Sequence, residues 1–209
     1  MPLHKIEWTG HRCGWALWNI TETEESLAVL AQPEICPNDI HSPSKRLEWL
    51  AGRILLKKLL ENDGLTYEGL LKDAFGKPFL DGYPHPISLS HSYPYVAAQI
   101  DSQTAVGIDV EQPKDKLLRV AHRVLNRSEA EDAGEDITKI CIYWCAKESL
   151  YKIYGRRGLT FSTHLHIQPF ALDHHGQLVG KISAPDTESL INLGYWVEKD
   201  FVLVYTKTQ

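Results

Sequence analysis

The sequence lacks the features that mark several large classes of protein. No apolar run approaches the roughly 20 residues that a membrane-spanning helix needs. Residues 1–18 contain no basic segment followed by an apolar run, so we expect no signal peptide. General nucleic-acid binders usually carry a strong positive excess, whereas this chain has a formal net charge of −5. We therefore expect neither a membrane span nor a nucleic-acid partner.

Cysteine is scarce and is not spaced for a metal. Of the four cysteines, only Cys141 and Cys145 lie close together, and no histidine stands at zinc-ligand spacing from them. Their separation places both on neighbouring faces of one helix. We interpret the cysteines as reduced, semi-buried residues of a cytoplasmic protein.

The rest of the composition is that of an ordinary globular chain. Hydrophobic residues make up 43% and charged residues 23% of the 209 residues, which suits one large domain or two small ones sharing a core. A short polar segment at 100–104 lies near the midpoint. We place the boundary there, with an N-terminal half at 1–102 and a C-terminal half at 103–209, and find no sequence repeat between them.

Each half mixes strands with one long helix, which predicts an α+β fold. Apolar residues at helical spacing predict long helices at about 44–62 and 136–154, and a shorter helix at about 115–126. Strands are predicted within 3–20, around Phe79, and at 87–90, 95–101, 105–111, 165–171, 179–184, 195–198 and 201–205, with a turn at 173–176.

The predicted strand at 105–111 carries two carboxylates on one face. Because side chains alternate across a strand, Asp109 and Glu111 share a face with Gly107, while valine and isoleucine side chains occupy the other. Both carboxylates can lean onto one hard cation, and Mg²⁺ prefers oxygen ligands. Gly107 would let a ligand approach the backbone. The alternative is a half-solvated strand whose outer face is acidic.

The predicted helix at 136–154 places a third carboxylate, Glu148, in the middle of an apolar stripe. The stripe contains Ile137, Cys141, Trp144 and Tyr151. A carboxylate on a buried face is costly unless it meets a cation, a metal or hydrogen-bond donors, and Lys152 lies one turn further on. The alternatives are a structural salt bridge for Glu148 and an ordinary surface ion pair for Lys152.

A third group of residues suits phosphate oxygens. Gly76-Lys77-Pro78 and Ser88-Leu89-Ser90-His91-Ser92 put a lysine, small hydroxyls and a histidine near tight turns. A catalytic Ser–His pair is disfavoured, because sequence neighbours rarely face each other and no Gly-x-Ser-x-Gly elbow is present. The first long helix adds basic residues that either bind anions or form a solvated face. They are Lys45, Arg46, Arg53, Lys57 and Lys58.

Taken in order, these motifs resemble the surfactin-type 4′-phosphopantetheinyl transferases. The matching residues are Gly76-Lys77-Pro78, Ser90-His91-Ser92, residues 107–111, Trp144 with Lys147-Glu148-Ser149, and Lys152. Arg127-Ser128-Glu129 resembles the Ser-x-x-Glu region of that family in kind and position. The motifs run from about residue 75 to 160, and the chain length suits the two-halved, monomeric class. The loop at 155–158 departs from the family's Gly-x-Gly-Leu by being one residue longer.

The resemblance implies a fold of two similar α/β halves, related by a pseudo-twofold, that bind coenzyme A between them. It implies that Asp109, Glu111 and Glu148 hold Mg²⁺, and that Lys152 contacts the pyrophosphate.

For the nucleotide end of coenzyme A, the resemblance implies the N-terminal half. Lys77, Ser90 and His91 would bind it, with His91 near the 3′-phosphate. Further candidates for the phosphates are the basic residues of the first long helix. They are Lys45, Arg46 and Arg53.

The implied reaction moves the 4′-phosphopantetheine arm of coenzyme A onto a serine hydroxyl of a carrier protein and releases adenosine 3′,5′-bisphosphate. Negative charge develops on the leaving bisphosphate, where a metal and Lys152 would stabilise it. Glu148, or Glu129 through a water, is the candidate base for the serine proton. Two other functions stay open: a Mg²⁺-dependent nucleotide pyrophosphatase, and a non-catalytic coenzyme A-binding protein.

The predicted helix at 115–126 has a basic side. Its cations, with one just beyond it, are spaced three or four residues apart; they are Lys116, Arg119, Arg123 and Arg127. Apolar residues supply faces that can pack inward; they are Leu117, Leu118, Ala121, Val124 and Leu125. Because the resemblance implies acidic helical carrier proteins, we hypothesise that this basic side docks the carrier. A solvated helix face is the alternative, and the kind of carrier stays open.

Overall fold

A computed structural model describes residues 3–9, 13–74 and 76–207. The chain divides into two compact units, Met1–Ala105 and Val106–Gln209, three residues beyond the boundary placed from the sequence. In each unit a long helix packs against an antiparallel sheet. The predicted mixture of helices and strands is confirmed, and the pseudo-twofold stays a prediction.

Within the described residues the helices are α1 (Glu24–Ala31), α2 (Pro43–Asn62), α3 (Lys116–Val124), α4 (Arg127–Ala133), α5 (Ile137–Tyr154) and α6 (Phe161–His164). The strands are β1 (Leu3–Thr9), β2 (Cys13–Asn19), β3 (Leu70–Lys72), β4 (Pro78–Leu80), β5 (Ile87–Ser92), β6 (Tyr95–Asp101), β7 (Ile108–Glu111), β8 (Leu165–Ile167), β9 (His175–Ala184), β10 (Thr187–Val197) and β11 (Val202–Thr206). Both long helices lie where the sequence predicts them. The sequence prediction omits α1, α4 and α6, and it shortens β9 and β10, so the turn predicted at 173–176 ends inside β9.

Local sequence signals explain where several helices begin and end. The Asp136 side chain accepts the Lys139 N–H at 3.0 Å at the start of α5, and Gly155 ends that helix with a left-handed φ of 69°. Asn126 and Glu129 form a reciprocal capping box at the start of α4. These caps fix the ends of the elements that carry the candidate site.

The N-terminal unit is a four-stranded sheet in the order β1-β2-β6-β5, with a separate β3-β4 hairpin. Helix α2 packs on β6 and β2. It contributes a fully buried apolar face to the core of this unit: Leu50, Ala51, Ile54, Leu55 and Leu59. This packing holds α2 against β6, to which β5 is bonded, and most of the predicted phosphate-binding residues lie on α2 and β5.

The C-terminal unit is a five-stranded antiparallel sheet in the order β7-β11-β10-β9-β8. Strand β7 is at its edge, bonded on one side to β11 with Asp109 opposite Val204. Helix α5 packs on β7 and β11, and its Cys145, Ala146 and Leu150 are fully buried. The acidic strand and the helix that carries Glu148 are therefore neighbours within one unit.

In the part of the chain that is described, no helix is both long and apolar enough to cross a bilayer. All four cysteines are free thiols and are buried, deeper than the semi-buried positions predicted.

Candidate functional site at the β7–α5 junction

Strand β7 shows the predicted alternation, but its second face is covered. Ile108 and Val110 are buried as expected, and Asp109 is also buried, with only 6% of its surface exposed. A Cβ added at Gly107 would lie 2.1 Å from the Ser149 carbonyl oxygen of α5. The interpretation that Gly107 leaves room for a ligand is therefore wrong, because the α5 backbone fills that space.

Lys152 joins α5 to β7 through two short contacts. Its Nζ donates to the Ile108 carbonyl at 2.7 Å and to Asp109 Oδ1 at 2.8 Å. The Lys152 side chain is 24% exposed, whereas the Asp109 side chain is 8% exposed. The pair is thus partly screened from water on the lysine side and almost completely on the carboxylate side. This geometry rules out the ordinary surface ion pair considered for Lys152.

Glu148 lies at the edge of the buried face of α5 and not in its middle. Like Trp144 and Tyr151 it is half-buried, while Lys147 and Ser149 on either side of it are fully buried. The stripe predicted around Glu148 is therefore less buried than expected. Among the described residues, no hydrogen bond or ion pair to the Glu148 carboxylate is found, so the structure offers no support for the structural salt bridge.

The electrostatic environment of Glu148 favours a cation. Burial, together with the negative charge of Asp109, raises the pKa of Glu148 to about 7, and the opposing effect of Lys152 is smaller. Two neighbouring carboxylates therefore share a region in which one of them is destabilised when ionised. Added positive charge at this position would relieve the repulsion.

Glu111 does not join the other two carboxylates directly. Its Oε2 pairs with Lys116 Nζ at 2.8 Å, and across residues 3–9, 13–74 and 76–207 no group of three or more acidic, histidine or cysteine side chains is close enough to hold a metal. The predicted set of Asp109, Glu111 and Glu148 is thus not assembled in this structure. Each strand carboxylate instead has a lysine beside it: Lys152 contacts Asp109, and Lys116 contacts Glu111. Mg²⁺ is usually held by one or two carboxylates together with substrate phosphates, which Asp109 and Glu148 fit.

Glu129, the second candidate base, is a buried carboxylate within the fold. Its carboxylate is 1% exposed and lies 2.5 Å from Nζ of the fully buried Lys147. It also accepts the N–H groups of Asn126 and Ile167, both at 2.8 Å. All these contacts hold α4, α5 and β8 together, and they leave no exposed oxygen to receive a proton from a substrate.

In the N-terminal unit the structure brings together two of the predicted phosphate-binding residues. Lys45 Nζ, at the start of α2, lies 3.4 Å from His91 Nδ1, at the end of β5. Both contact Glu48, at 2.6 Å and 3.4 Å respectively. Sequence reasoning missed Glu48, although its spacing of three residues from Lys45 on one helix is a recognisable signal.

The other N-terminal candidates are not gathered at this point. Arg46 contacts both α1 and the loop before α2, since it pairs with Glu24 of α1 at 2.7 Å and donates to the Pro37 and Ile40 carbonyls of the loop. The Arg53 guanidinium stacks on Trp49, with its central carbon 3.7 Å from the ring centroid, and burial lowers its pKa. These contacts explain both arginines structurally.

Ser90 and Lys77 are also partly withdrawn from solvent. Ser90 precedes His91 on β5 and is 8% exposed. Burial lowers the pKa of Lys77, against a smaller opposing effect of Asp73. A shared role of Ser90 and Lys77 with the Lys45–Glu48–His91 cluster stays a prediction.

The basic side predicted for the helix after β7 is interrupted. Helix α3 ends at Val124, Leu125 is extended with ψ 140°, and Arg127 begins α4. Arg127 pairs with Glu131 and Lys116 with Glu111, whereas no ion pair of Arg119 or Arg123 is found among the described residues. Leu118, expected to pack inward, is 40% exposed. The exposed face of α3 therefore combines two arginines with an apolar side chain.

The C-terminal unit is an α+β unit in which a lysine and two carboxylates lie between an edge strand and a long helix. This combination is the feature by which the chain can be assigned to a class of proteins. The sequence profile of the 4′-phosphopantetheinyl transferase superfamily matches residues 105–206, which span this unit. Residues 105–206 therefore match that superfamily, and the resemblance inferred from the motifs is confirmed.

Individual relatives give the same result. The 4′-phosphopantetheinyl transferase AcpT of Salmonella typhimurium is 30% identical over 119 residues, which is 53% of this chain and 60% of the relative. The 4′-phosphopantetheinyl transferase Sfp of Bacillus subtilis is 31% identical over 121 residues, 55% of this chain and 51% of the relative. The chain thus spans between half and three-fifths of the length of these relatives.

Proposed function

We propose that the chain transfers the 4′-phosphopantetheine group of coenzyme A to a serine hydroxyl of an acyl or peptidyl carrier protein and releases adenosine 3′,5′-bisphosphate. The observation that carries the proposal is Glu148, a half-buried carboxylate for which no hydrogen bond or ion pair is found among the described residues, beside the Asp109–Lys152 pair. The match of residues 105–206 to the superfamily and the names of the two relatives support the same reaction.

Different residues of the chain would perform different parts of this reaction. Lys152 holds a positive charge beside Asp109, where it would stabilise the charge that develops on the leaving bisphosphate. Asp109 and Glu148, with Glu111 on the same strand face as Asp109, would hold Mg²⁺. When bound, the metal would neutralise phosphate charge. The Lys45–His91 cluster of the N-terminal unit would receive the nucleotide end of coenzyme A.

We assign the role of proton acceptor for the carrier serine to Glu148 in preference to Glu129. Glu148 is half-buried, and in the described part of the chain its carboxylate has no hydrogen bond or ion pair that would occupy it. A base must reach the proton that it removes. Glu129 is 1% exposed, and both of its oxygens already accept bonds within the fold. We propose for Glu129 the structural role of joining helices α4 and α5.

The proposed enzyme acts as a monomer in the cytoplasm. Free, buried thiols are in keeping with a reducing compartment.

The decisive experiment is to mix the purified chain with coenzyme A, Mg²⁺ and an apo carrier protein, and to measure the mass of the carrier. We expect the carrier to gain one phosphopantetheine group. Release of free phosphopantetheine with no change in carrier mass would instead identify a pyrophosphatase. Binding of coenzyme A with neither product would identify a non-catalytic binding protein.

Replacing Lys152 with alanine is expected to lower kcat about 100-fold and to change KM for coenzyme A only a few-fold. The charge matters most when the leaving bisphosphate forms, and removing one such stabilising group typically has an effect of this size. Lys181→Ala is the matched control, because Lys181 pairs with Glu188 on the neighbouring strand of the same sheet. A loss confined to KM would assign Lys152 to ground-state binding.

Charge reversal on α3, by Arg119→Glu with Arg123→Glu, is expected to raise KM for an acidic carrier roughly tenfold and to leave KM for coenzyme A nearly unchanged. Exposed charges attract over about 10 Å at 0.1 M salt, so wild-type transfer should also weaken as salt rises. The control is Lys72→Glu with Lys199→Glu, which changes net charge equally at two other exposed positions. If both double variants change the carrier kinetics equally, the α3 arginines do not dock the carrier and only form a solvated face.

A further inference from the structure

A buried carboxylate lies beneath two exposed side chains in the N-terminal unit. Glu48, on α2, is 3% exposed. Its Oε1 accepts the backbone N–H of Tyr93 at 3.1 Å, in the turn after β5. Its Oε2 lies 2.6 Å from Lys45 Nζ and 3.4 Å from His91 Nδ1. One oxygen thus anchors the carboxylate to the backbone, and the other faces both nitrogens.

The two side chains above Glu48 are adjacent and about half exposed. The side chains of Lys45 and His91 are 53% and 51% exposed, and Lys45 Nζ lies 3.4 Å from His91 Nδ1. A phosphate monoester has several oxygens and can accept from two neighbouring donors at once. A lysine side chain on its own samples many rotamers, so an anchored carboxylate that fixes its ammonium reduces the entropy lost on binding.

Stability alone does not explain a glutamate at this position. A buried charge pair usually contributes little net stability, because desolvation offsets the attraction. The arrangement of Glu48 is instead that of a support, since its charge is turned towards two side chains that point to solvent.

We propose that Glu48 is a positioning residue that holds Lys45 and His91 side by side to bind the 3′-phosphate of coenzyme A. The inference rests on the proposed function, in which coenzyme A is the substrate. Its alternative has the opposite sign: a carboxylate this close to a bound phosphate would repel it, and neutralising Glu48 would then tighten binding.

The test is calorimetric binding of adenosine 3′,5′-bisphosphate and of adenosine 5′-monophosphate, which lacks the 3′-phosphate. Glu48→Gln keeps an acceptor for the Tyr93 N–H and removes the charge. We expect it to weaken binding of the bisphosphate about tenfold and of the monophosphate less than twofold. At saturating coenzyme A, kcat should stay within twofold of wild type, since the bond that breaks is remote from the 3′-phosphate.

A double-mutant cycle separates positioning from a general effect on the fold. If Glu48 acts through the two nitrogens, Glu48→Gln should have no further effect on bisphosphate binding once Lys45→Ala and His91→Ala are present. Glu61→Gln is the matched control, because Glu61 is an exposed glutamate near the other end of the same helix. Should Glu48→Gln fail to fold, Glu48→Asp keeps the charge but withdraws it by one methylene, and it too should weaken bisphosphate binding.

The possible outcomes are distinct. Unchanged or tighter bisphosphate binding by the Glu48 variants overturns the inference, and so does an undiminished effect in the double-variant background. Wild-type protein that binds both nucleotides equally and transfers nothing would overturn the proposed function itself. If wild-type protein prefers the bisphosphate and Glu48→Gln binds it with the same affinity, the proposed function is unaffected. Only the role assigned to Glu48 is then wrong.

Discussion

Neutralising either Asp109 or Glu148 is expected to reduce transfer by about three orders of magnitude or more while the protein stays folded. Asp109→Asn and Glu148→Gln keep side-chain shape and remove one negative charge each. Asp109 lies 2.8 Å from Lys152 and its charge acts on Glu148, so both changes affect the same small region. Transfer is measured as the mass gained by a carrier protein, and Glu188→Gln, an exposed carboxylate of the same unit, is the control.

Stability distinguishes a functional carboxylate from a structural one. Because the pKa of folded Glu148 is raised to about 7 from an ordinary value of 4.5, wild-type stability should fall relative to Glu148→Gln as pH rises from about 4.5 to about 7. With divalent cations removed, Glu148→Gln should therefore unfold at the same or a higher temperature than wild type at pH 8. A variant that loses transfer only because it unfolds would support the structural salt bridge instead. Normal turnover in either variant would remove both carboxylates from the mechanism.

The elements with strong local signals were predictable from sequence. Helix α5 begins at an aspartate cap and ends at Gly155, and both signals can be read without a structure. The alternation of 106–110 correctly predicted which apolar residues of β7 are buried. The Asn126–Glu129 capping box is equally local, so the start of α4 could have been predicted from the same kind of pattern.

Side-chain orientations and ion pairs that depend on packing between distant segments were not predictable from sequence. Helix α5 is buried on most of its circumference, including Ile142, Cys145 and Ser149, so the spacing of apolar residues could not show which side Glu148 faces. The Lys147–Glu129 pair joins residues 18 positions apart on two helices. Glu111 lies on the predicted face of β7, but its pairing with Lys116 depends on the loop that places α3.

Gly107→Ala is expected to destabilise the protein by about 3 kcal/mol, an effect at the upper end for overpacking. A Cβ there would lie 2.1 Å from the Ser149 carbonyl oxygen and 3.1 Å from Ile153 Cγ1. The glycine cannot move away easily, because its N–H donates to Thr206 Oγ1 at 2.8 Å and its carbonyl accepts the Thr206 N–H at 3.0 Å. Relief therefore requires α5 to shift relative to β7.

Gly52→Ala is the matched control with an expected effect of opposite sign. A Cβ at Gly52, inside α2, would lie 3.6 Å from Leu89 Cδ2, which is an ordinary contact, and alanine is favoured over glycine in a helix by about 1 kcal/mol. Urea unfolding of both variants measures the two free energies of unfolding directly. Equal stabilities for Gly107→Ala and wild type would contradict the packing seen at this junction.

The same substitution tests how Gly107 serves the proposed reaction. Ser149 follows Glu148, so a shift of α5 that relieves the clash also moves Glu148 relative to Asp109. A displacement of about 1 Å in a reacting group can cost roughly 100-fold in rate. We therefore expect Gly107→Ala protein that remains folded to lose kcat and to bind coenzyme A almost normally. If Gly107 instead leaves room for a ligand, as its place in the sequence first indicated, the variant should keep its stability and lose coenzyme A affinity. The close approach of α5 favours the first result, because a residue whose missing side chain is replaced by backbone has no surface left to offer a ligand.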